Sequence, residues 1–531
     1  MRGSTSGCGQ SIAERHIEVD EMKNSEKSNI IIVSNRLPFV FKRSSDGNID
    51  VSQGSGGLVT AMAPILENRG GTWIGWPGYI QESDDDVNLL TEIHTISSDY
   101  SIKPVMITAD ELMSYYEGFS NSIIWPLFHD STDKCQFLPE YWKSYKDVNE
   151  KFASTISQHA QDTDFIWVHD YHLILVGACL RRKMIDNHIG FFLHIPFPPI
   201  DTFARCPWRF ELLAAMLDYD ILGFQTIQDK RNFIGCLKKT VQDVGIDVKD
   251  ELDEALSELT FGNRRIRIGV FPISIDARDF AQRASGKTVE QLTKTNRKNI
   301  INNKVLLGVD RLDYTKGIPD KLRTFRFFLT LFPEFHKKVQ FIQLVVPSRR
   351  EITAYSDLKL KIEQLVGEIN GKFGTNDWLP VQYMFRTLGR NELISLYRIS
   401  EVAFVAPLKD GMNLIAKEYC ASNVDENGVL ILSEFAGAAQ QFYQDALLVN
   451  PHDIEGTAAA IYRAFKMPLE ERKRRMRNLR RNVHSQDVFW WLNSFLNAIH
   501  EMKISTFPKV DEYIPSNLPS EFMTDCWKQA E

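Results

Sequence analysis

The sequence predicts an α/β protein with two doubly wound, Rossmann-like domains. Short runs of β-branched and aromatic residues alternate with longer amphipathic stretches, and they form two sets that separate near Pro272. Continuously apolar strands indicate parallel sheets that are covered by helices on both faces. Polar motifs follow several runs, and ligands of doubly wound sheets bind beyond the carboxyl ends of the strands. We therefore expect a site in the cleft between two facing sheets.

The strand candidates fix the expected organisation of the chain. The first set is 30–33, 165–168, 189–194, 221–224 and 266–271, and the second is 305–309, 339–346, 381–385, 402–405, 429–432 and 446–449. They predict a flexible tail at 1–28, a first Rossmann-like domain at 29–275, a second Rossmann-like domain at 276–485, a helix at 486–503 that packs back on the first domain, and a tail at 504–531.

The composition disfavours several functional classes. The chain has 531 residues and a net charge of −7, so a basic surface for nucleic acid is not expected. Its apolar runs fall short of the roughly 20 residues of a membrane span, and the polar residues 1–28 lack the apolar core of a signal peptide. Seven cysteines without a C-x-x-C pattern argue against zinc ribbons and disulfide scaffolds. We expect a cytoplasmic protein.

The most informative motif, GVDRLDYTKG, follows the first strand of the second set at residues 308–317. It places Arg311 and Lys316 at the carboxyl end of a buried strand, where such a pair is suited to bind a diphosphate. Further along the chain, DGMNLIAKE at 410–418 predicts a loop that leads into a helix N-terminus, a common anion site. Together they predict an enzyme that holds a nucleotide diphosphate and transfers the group attached to it.

Each of the motifs in the N-terminal part of the chain is weaker evidence for a functional site when it is taken alone. Arg36, in SNRLP, is either a phosphate ligand or an exposed loop arginine. The loop GSGGL at 54–58 permits close backbone approach to a phosphate. However, Val59 stands where a dinucleotide fingerprint needs glycine, which disfavours a nicotinamide oxidoreductase. Tyr116 and Trp125 either contact a sugar or belong to an aromatic core.

Several polar residues follow or end predicted strands. Asp170 could accept hydrogen bonds from sugar hydroxyls, and His194 is either a site residue or a structural histidine. Metal ligation by His169, His172 and His194 is disfavoured because no cysteine or carboxylate cluster lies near them in sequence. Arg349 could bind a second phosphate or form part of a surface pair.

These motifs and their order along the chain resemble those of the trehalose-6-phosphate synthase family. Members of this family are retaining glucosyltransferases of the two-domain GT-B type. The matching motifs, within about residues 29–500, are SNRLP, GSGGL, YYEGFSN, WVHDYH, FFLHIPFP, GVDRLDYTKG, PSRRE, INGKFG, PLKDGMNLIAKEY and LSEFAGAA. The resemblance implies transfer of glucose from UDP-glucose to glucose 6-phosphate, without a metal or another cofactor. It also implies front-face attack, with the leaving phosphate accepting the proton of the acceptor.

The resemblance implies that the domain at 29–275 binds the acceptor and the domain at 276–485 binds the nucleotide sugar, and it assigns roles to residues of both. The implied catalytic residues are Asp170, His194, Arg311, Lys316 and Asp410. The implied donor-binding residues are Gly57, His194, Arg311, Lys316, Asp410, Gly411, Met412, Asn413, Leu414, Ile415, Ala416, Lys417 and Glu418, with Glu418 on the ribose. The implied acceptor-binding residues are Arg36, Tyr116, Trp125, Asp170 and Arg349, with the two arginines on the phosphate.

Some alternatives stay open. Pro207, Trp208 and Arg209 resemble the related glucosylglycerol-phosphate synthases, which use glycerol 3-phosphate, although those enzymes tend to lose the arginine that this chain keeps at Arg36. A catalytically silent sugar-phosphate sensor is disfavoured because the donor residues are retained. A D-x-D-G-T phosphatase signature is absent from the sequence, so we expect a separate phosphatase to act on the product. The nucleotide base and homo-oligomerisation are left open.

Overall fold

The computed structural model describes residues 29–43, 49–53, 57–80, 100–240, 247–249, 255–300, 304–347 and 353–500. Several sequence predictions concern residues outside these ranges. They are the two predicted tails, the part of the glycine loop before Gly57, and Arg349.

The N-terminal half is built on a mixed sheet of nine strands. Their bounds are β1 Ile30–Arg36, β4 Thr72–Trp76, β5 Ser101–Pro104, β6 Phe165–His169, β7 Ile189–Phe192, β8 Ile221–Phe224, β9 Asp247–Lys249, β10 Leu256–Phe261 and β11 Arg264–Val270. The order is β5-β4-β1-β6-β7-β8-β11-β10-β9, parallel from β5 to β11 and antiparallel at β10 and β9. An antiparallel ribbon of β2 (Phe39–Arg43) and β3 (Ile49–Gln53) follows β1 in sequence.

The C-terminal half is built on a parallel sheet of six strands. Their bounds are β12 Lys304–Arg311, β13 Val339–Val346, β14 Val381–Phe385, β15 Val402–Val405, β16 Val429–Ser433 and β17 Leu447–Val449. The order is β14-β13-β12-β15-β16-β17, so the winding reverses between β12 and β15. The loops after these two strands are therefore where a doubly wound sheet binds its ligand.

Helices cover both sheets. The α-helices are Gly57–Arg69, Ala109–Glu111, Trp125–Phe128, Pro139–His159, Val176–Arg182, Ile200–Phe203, Arg209–Met216, Ile227–Thr240, Ala277–Ala284, Lys287–Asn299, Ile318–Leu331, Thr353–Phe373, Arg390–Ile399, Leu414–Ser422, Ala439–Phe442, Ile454–Lys466, Leu469–Ser485 and Val488–His500. The 3₁₀ turns are Thr132–Lys134, Tyr171–Leu173, Tyr314–Lys316 and Pro333–Phe335, and Leu112–Ile124 is π-helical. Local sequence explains several starts, such as the Asp276 side chain, which accepts hydrogen bonds from Arg278 N and Asp279 N.

The predicted fold class is confirmed, with differences at the edge of the first sheet. The all-parallel prediction was wrong there, because β10 returns antiparallel onto β11 through Gly262, whose φ of 58° suits a tight turn. The prediction also missed β4, whose sequence TWIGW lacks an aliphatic run. Gly75 is needed in β4, since a Cβ there would lie 2.8 Å from the Ser34 carbonyl oxygen.

The chain passes between the halves twice, after β11 and before Val488–His500. The last helix packs on the first sheet, where the Trp491 ring stacks on Trp167 with centroids 4.9 Å apart. Trp491 Nε1 also donates to the Phe271 carbonyl oxygen at 3.1 Å. This helix thus joins the two halves beside the first crossing.

Candidate active site

The end of β12 positions Arg311 and Lys316. The Asp313 carboxylate accepts from the backbone N–H and the hydroxyl of Thr315, at 3.0 and 2.9 Å, which fixes the 3₁₀ turn that carries Lys316. Gly317 ends this turn with φ 60°, and a Cβ there would lie 2.9 Å from the Ala406 carbonyl oxygen. The turn therefore holds the Lys316 side chain beside the loop that follows β15.

Lys316 and Asp410 form an ion pair within the second half. Lys316 Nζ lies 2.6 Å from Asp410 Oδ2, and Asn413 Nδ2 donates to the same oxygen at 3.0 Å. Burial opposes ionisation of Asp410, but Lys316, and after it His129 and Asn413, outweigh it, so the pKa of this carboxyl is below its usual value. The sequence predicted both residues, and the structure shows that they meet.

The loop after Asp410 fits tightly between the two halves. A Cβ on Gly411 would lie 2.2 Å from the His194 carbonyl oxygen, and a Cβ on Gly437 would lie 1.9 Å from the Gly411 carbonyl oxygen. Asn413, at φ 79°, accepts from Ala416 N at 3.3 Å and so caps the helix Leu414–Ser422. The N–H groups of this first turn that lack an intrahelical acceptor can bind an anion.

The side chains at 412–418 point in different directions. Met412 and Ala416 are buried, whereas Leu414 and Ile415 are half-buried. Lys417 Nζ donates to the Ile273 carbonyl oxygen at 2.7 Å, and burial lowers its pKa to about 7. This side chain thus binds the segment that joins the halves.

Glu418 has a partner that the sequence did not indicate. The Tyr397 hydroxyl, on the neighbouring helix Arg390–Ile399, donates to Glu418 Oε2 at 2.7 Å. Burial raises the pKa of Glu418 to about 7, against the opposing effects of Tyr397 and Arg390. The carboxyl thus titrates near neutral pH.

Asp170 and His194 meet at the ends of β6 and β7 in the first half. Asp170 has φ 76°, and its Oδ1 accepts from His194 N at 3.2 Å. His169 Nδ1 lies 3.1 Å from His194 Nε2. Burial lowers the pKa of His194 to about 3, so its imidazole is neutral at pH 7.

Arg36 and Tyr116 belong to an aromatic cluster at the end of β1. The Arg36 guanidinium lies 4.3 Å from the Trp76 ring centroid and 5.6 Å from that of Tyr116. Tyr116 stacks on His172, with centroids 5.7 Å apart and an angle of 10° between the rings. Trp76 and His172 were not predicted as site residues, because their neighbours are distant in sequence.

Trp125 faces the second half across the cleft. The Arg311 guanidinium lies 5.7 Å from the Trp125 ring centroid. His129, one helical turn later, donates from Nδ1 to the Trp125 carbonyl oxygen at 2.8 Å, and burial lowers its pKa to about 4. Next to it, Asp130 pairs with Lys409, the residue before Asp410, so a second contact joins the halves.

Two of these contacts, Arg311 with Trp125 and Gly411 with His194, join predicted site residues of the two halves. A cavity of about 740 Å³ beside His129 is lined by loops of both halves, and of the predicted site residues Asp410 lines it. Gly57 is the first residue of the helix Gly57–Arg69.

Within the described ranges, no cluster of three or more His, Cys, Asp or Glu could hold a metal ion. None of the helices in those ranges has the length and apolar character needed to span a bilayer.

Two facing α/β units, with a cation–carboxylate pair in one half and an arginine–aromatic cluster in the other, define a nucleotide-sugar-dependent glycosyltransferase. The sequence model of Glycosyltransferase family 20 matches residues 28–501. The chain belongs to this family.

Named relatives and solved structures agree. The trehalose-6-phosphate synthase of Mycolicibacterium paratuberculosis is 41% identical over 475 residues, which cover 89% of this chain and 96% of the relative. That of Mycobacterium leprae is 42% identical over 484 residues, covering 90% and 96%. The UDP-forming alpha,alpha-trehalose-phosphate synthase of Burkholderia xenovorans, in complex with glucose-6-phosphate, superposes with a TM-score of 0.80 at 33% identity, covering 89% of this chain and 100% of that one. An Escherichia coli structure bound with UDP-2-fluoro glucose gives a TM-score of 0.79 at 33% identity, covering 91% and 100%. These similarities confirm the family and fold expected from the motifs.

Proposed function

We propose that this protein transfers glucose from UDP-glucose to glucose 6-phosphate, giving α,α-trehalose 6-phosphate and UDP. The observation that carries the proposal is the approach of Arg311 to Trp125 across the cleft, at 5.7 Å. It places a candidate diphosphate ligand beside a candidate sugar-binding ring, as transfer between two substrates requires. The names of the relatives, and the Burkholderia structure with glucose-6-phosphate, support the same activity.

The donor lies against the second half. Arg311 and Lys316 bind the diphosphate, together with Gly57 and the N–H groups at the start of Leu414–Ser422. Lys316 is paired with Asp410, so the diphosphate replaces or shares this partner. Asp410 and His194 then hold the glucose, and Glu418 accepts a hydrogen bond from the ribose.

Charge development explains how this arrangement accelerates transfer. Breaking the anomeric bond places positive charge on the sugar and negative charge on the departing diphosphate. Preorganised cations and helix N–H groups directed at the leaving oxygen stabilise the transition state. The leaving phosphate accepts the acceptor's proton, so a separate protein base is not required.

The acceptor lies against the first half. Arg36, together with Arg349, binds the phosphate, and Tyr116, Trp125 and Asp170 surround the sugar. The Arg36 side chain is exposed and its guanidinium lies over the Trp76 ring, and the guanidinium N–H groups are the donors that we assign to the phosphate.

Glycerol 3-phosphate is a weaker candidate acceptor. The Trp208 ring stacks on Trp142, with centroids 5.7 Å apart, and contacts Phe119 at 5.5 Å. Arg209 Nη1 donates to the Cys206 carbonyl oxygen at 3.2 Å. The motif that suggested this acceptor thus packs within the first half, and it gives no independent support for glycerol 3-phosphate.

The cellular setting follows from the same chemistry. The protein acts in the cytoplasm, where both phosphorylated substrates are made, and a separate phosphatase removes the phosphate of the product.

Product identity tests the proposal. Purified protein is incubated with UDP-glucose and either glucose 6-phosphate or glycerol 3-phosphate, and UDP release is followed together with product mass. We expect a disaccharide phosphate with glucose 6-phosphate only. Turnover with glycerol 3-phosphate alone would support the alternative acceptor. If UDP-glucose, GDP-glucose and ADP-glucose all fail to react with either acceptor, the sugar-phosphate-sensor hypothesis replaces the enzyme proposal.

A further inference from the structure

Arg36 follows a bulge at the end of β1. Between Val33 and Arg36, β1 has two residues where its partner β4 has only Gly75. Bulges of this kind redirect a side chain and often occur beside active sites. Gly75 permits the bulge, because a Cβ there would lie 2.8 Å from the Ser34 carbonyl oxygen. The direction of the Arg36 side chain thus depends on how the two bulge residues, Ser34 and Asn35, are held.

Ser34 is held within the sheet. Its hydroxyl donates to the Arg36 carbonyl oxygen at 2.7 Å and accepts from Trp73 Nε1 at 2.8 Å. Ser34 is buried, where hydrogen bonds are stronger than in water. These two bonds fix the backbone of Arg36 against β4.

Asn35 is held by a different element. The Tyr115 hydroxyl, in the π-helical segment Leu112–Ile124, donates to Asn35 Oδ1 at 2.8 Å. Both side chains are buried. Burial raises the pKa of Tyr115 well above its usual value, so the hydroxyl keeps its proton and remains the donor. The bond joins two segments that are 80 positions apart in the chain.

The two hydrogen-bonded residues directly precede two candidate acceptor ligands. Asn35 is followed by Arg36, and Tyr115 is followed by Tyr116. The Arg36 guanidinium lies 5.6 Å from the Tyr116 ring centroid. The same two segments are therefore joined twice, by the buried bond and by the contact at the site. A change in the buried bond should shift the guanidinium relative to the ring.

Packing alone does not explain why this buried pair is polar. Phenylalanine and leucine would fill a similar volume, whereas a buried hydroxyl and a buried amide must each have a partner. The segment that carries Tyr115 is also unusual, since π-helical turns are rare and are frequent at functional sites. Both observations favour a role in placing the neighbouring residues.

We infer that the hydrogen bond between Tyr115 and Asn35 positions Arg36 for the phosphate of the acceptor. The inference rests on the proposed function, in which Arg36 binds that phosphate. Tyr115 and Asn35 act through Arg36, so they are positioning residues. A guanidinium binds phosphate through a planar set of N–H groups, and its affinity therefore depends on direction as well as on charge. Loss of the bond should weaken acceptor binding and spare donor binding, which relies mainly on the second half.

Calorimetry of Tyr115→Phe tests the inference. Glucose 6-phosphate is titrated into the full chain with UDP present at saturation, and UDP is titrated separately. We expect the Kd for glucose 6-phosphate to rise about five- to tenfold, as the loss of one hydrogen bond predicts, and the Kd for UDP to stay unchanged. Asn35→Leu removes the other partner and should give the same selective loss. Because both changes break one bond, their effects should not add in the double variant.

Tyr219→Phe is the matched control. Tyr219 is also fully buried, and its hydroxyl donates to the Leu173 carbonyl oxygen at 3.0 Å. It precedes β8, so it lies at the opposite edge of the sheet from the strand ends that form the site. We expect this variant to lower the melting temperature, as Tyr115→Phe does, and to leave the Kd for glucose 6-phosphate unchanged.

The outcomes separate this inference from the proposed function. If the unmodified chain does not bind glucose 6-phosphate, the proposed acceptor is wrong and the inference falls with it. If the unmodified chain and Tyr115→Phe bind glucose 6-phosphate equally well, only the inference is overturned. It is also overturned if Tyr219→Phe weakens binding to the same extent, or if Tyr115→Phe weakens UDP and glucose 6-phosphate equally, because a general loss of stability then explains the effect.

Discussion

The rings of His169 and His194 share a hydrogen bond, with Nδ1 of the first 3.1 Å from Nε2 of the second. Burial, and then the neighbouring His194, lower the pKa of His169 well below its usual value, and burial lowers that of His194 to about 3. Both rings are therefore neutral at pH 7, and one of the two nitrogens carries the shared proton. The bond fixes the tautomer and the orientation of His194.

His169→Phe should weaken the use of the donor. Phenylalanine keeps a ring of similar size but removes the hydrogen bond, so His194 loses its orientation towards the donor sugar. We expect kcat/KM for UDP-glucose to fall about five- to tenfold, since one hydrogen bond is worth about 1 kcal/mol. Steady-state UDP release measures this. His159→Phe, at an exposed helix end, is the control and should leave the value unchanged. An unaltered kcat/KM in His169→Phe would contradict the prediction.

Lys316→Ala should lower kcat/KM far more than His169→Phe does. The variant loses the ammonium that stabilises the leaving diphosphate and leaves the half-buried Asp410 without its cation. We expect transition-state stabilisation to weaken by about 3–4 kcal/mol, which lowers kcat/KM more than a hundredfold. Lys298→Ala, an exposed lysine on another helix, is the control.

A double variant tests whether Lys316 and Asp410 act as a pair. Because the two side chains are 2.6 Å apart, the losses of Lys316→Ala and Asp410→Asn should not add. The double variant should be less impaired than the product of the single effects. Full additivity of the two losses would show that the contact has no functional role.

Glu418 should make donor affinity depend on pH. Its pKa is raised to about 7 by burial, so the carboxyl is protonated below this pH and ionised above it. An ionised carboxylate is the better acceptor for a ribose hydroxyl. The KM for UDP-glucose should therefore decrease as the pH rises through about 7.

Steady-state kinetics between about pH 6 and pH 8 measures this dependence. Glu418→Gln should raise KM and remove the change near pH 7. Glu290→Gln, at an exposed position, should keep the dependence of the unmodified chain. If Glu418→Gln retains the same profile, another group is responsible for it.

Local sequence was sufficient to predict where the strands end. It could not predict contacts between residues that are distant along the chain. Arg311 could be placed because an apolar run and the motif after it are contiguous. Tyr397 could not be predicted as a partner of Glu418, because this contact depends on how two helices pack. The pairing of Asp130 with Lys409 joins residues 279 positions apart, and only the approach of the two halves creates it.

Gly411→Ala tests the close contact between the halves. A Cβ on Gly411 would lie 2.2 Å from the His194 carbonyl oxygen, so either the loop at 410–413 or the end of β7 must move. Both segments hold candidate donor ligands, and a displacement of about 1 Å at such a site can cost about a hundredfold in rate. We expect a loss of this order in kcat, together with a lower melting temperature.

Gly235→Ala is the matched control. Gly235 lies within the helix Ile227–Thr240, and an added Cβ would meet nothing within 4 Å. Alanine at this position should leave kcat unchanged and increase the free energy of unfolding by about 0.5–1 kcal/mol, because glycine loses more backbone entropy in a helix. Kinetics and thermal unfolding of both variants, measured side by side, separate the contact from a general effect of alanine. If Gly411→Ala behaves like Gly235→Ala, the halves are not in tight contact at His194 during turnover.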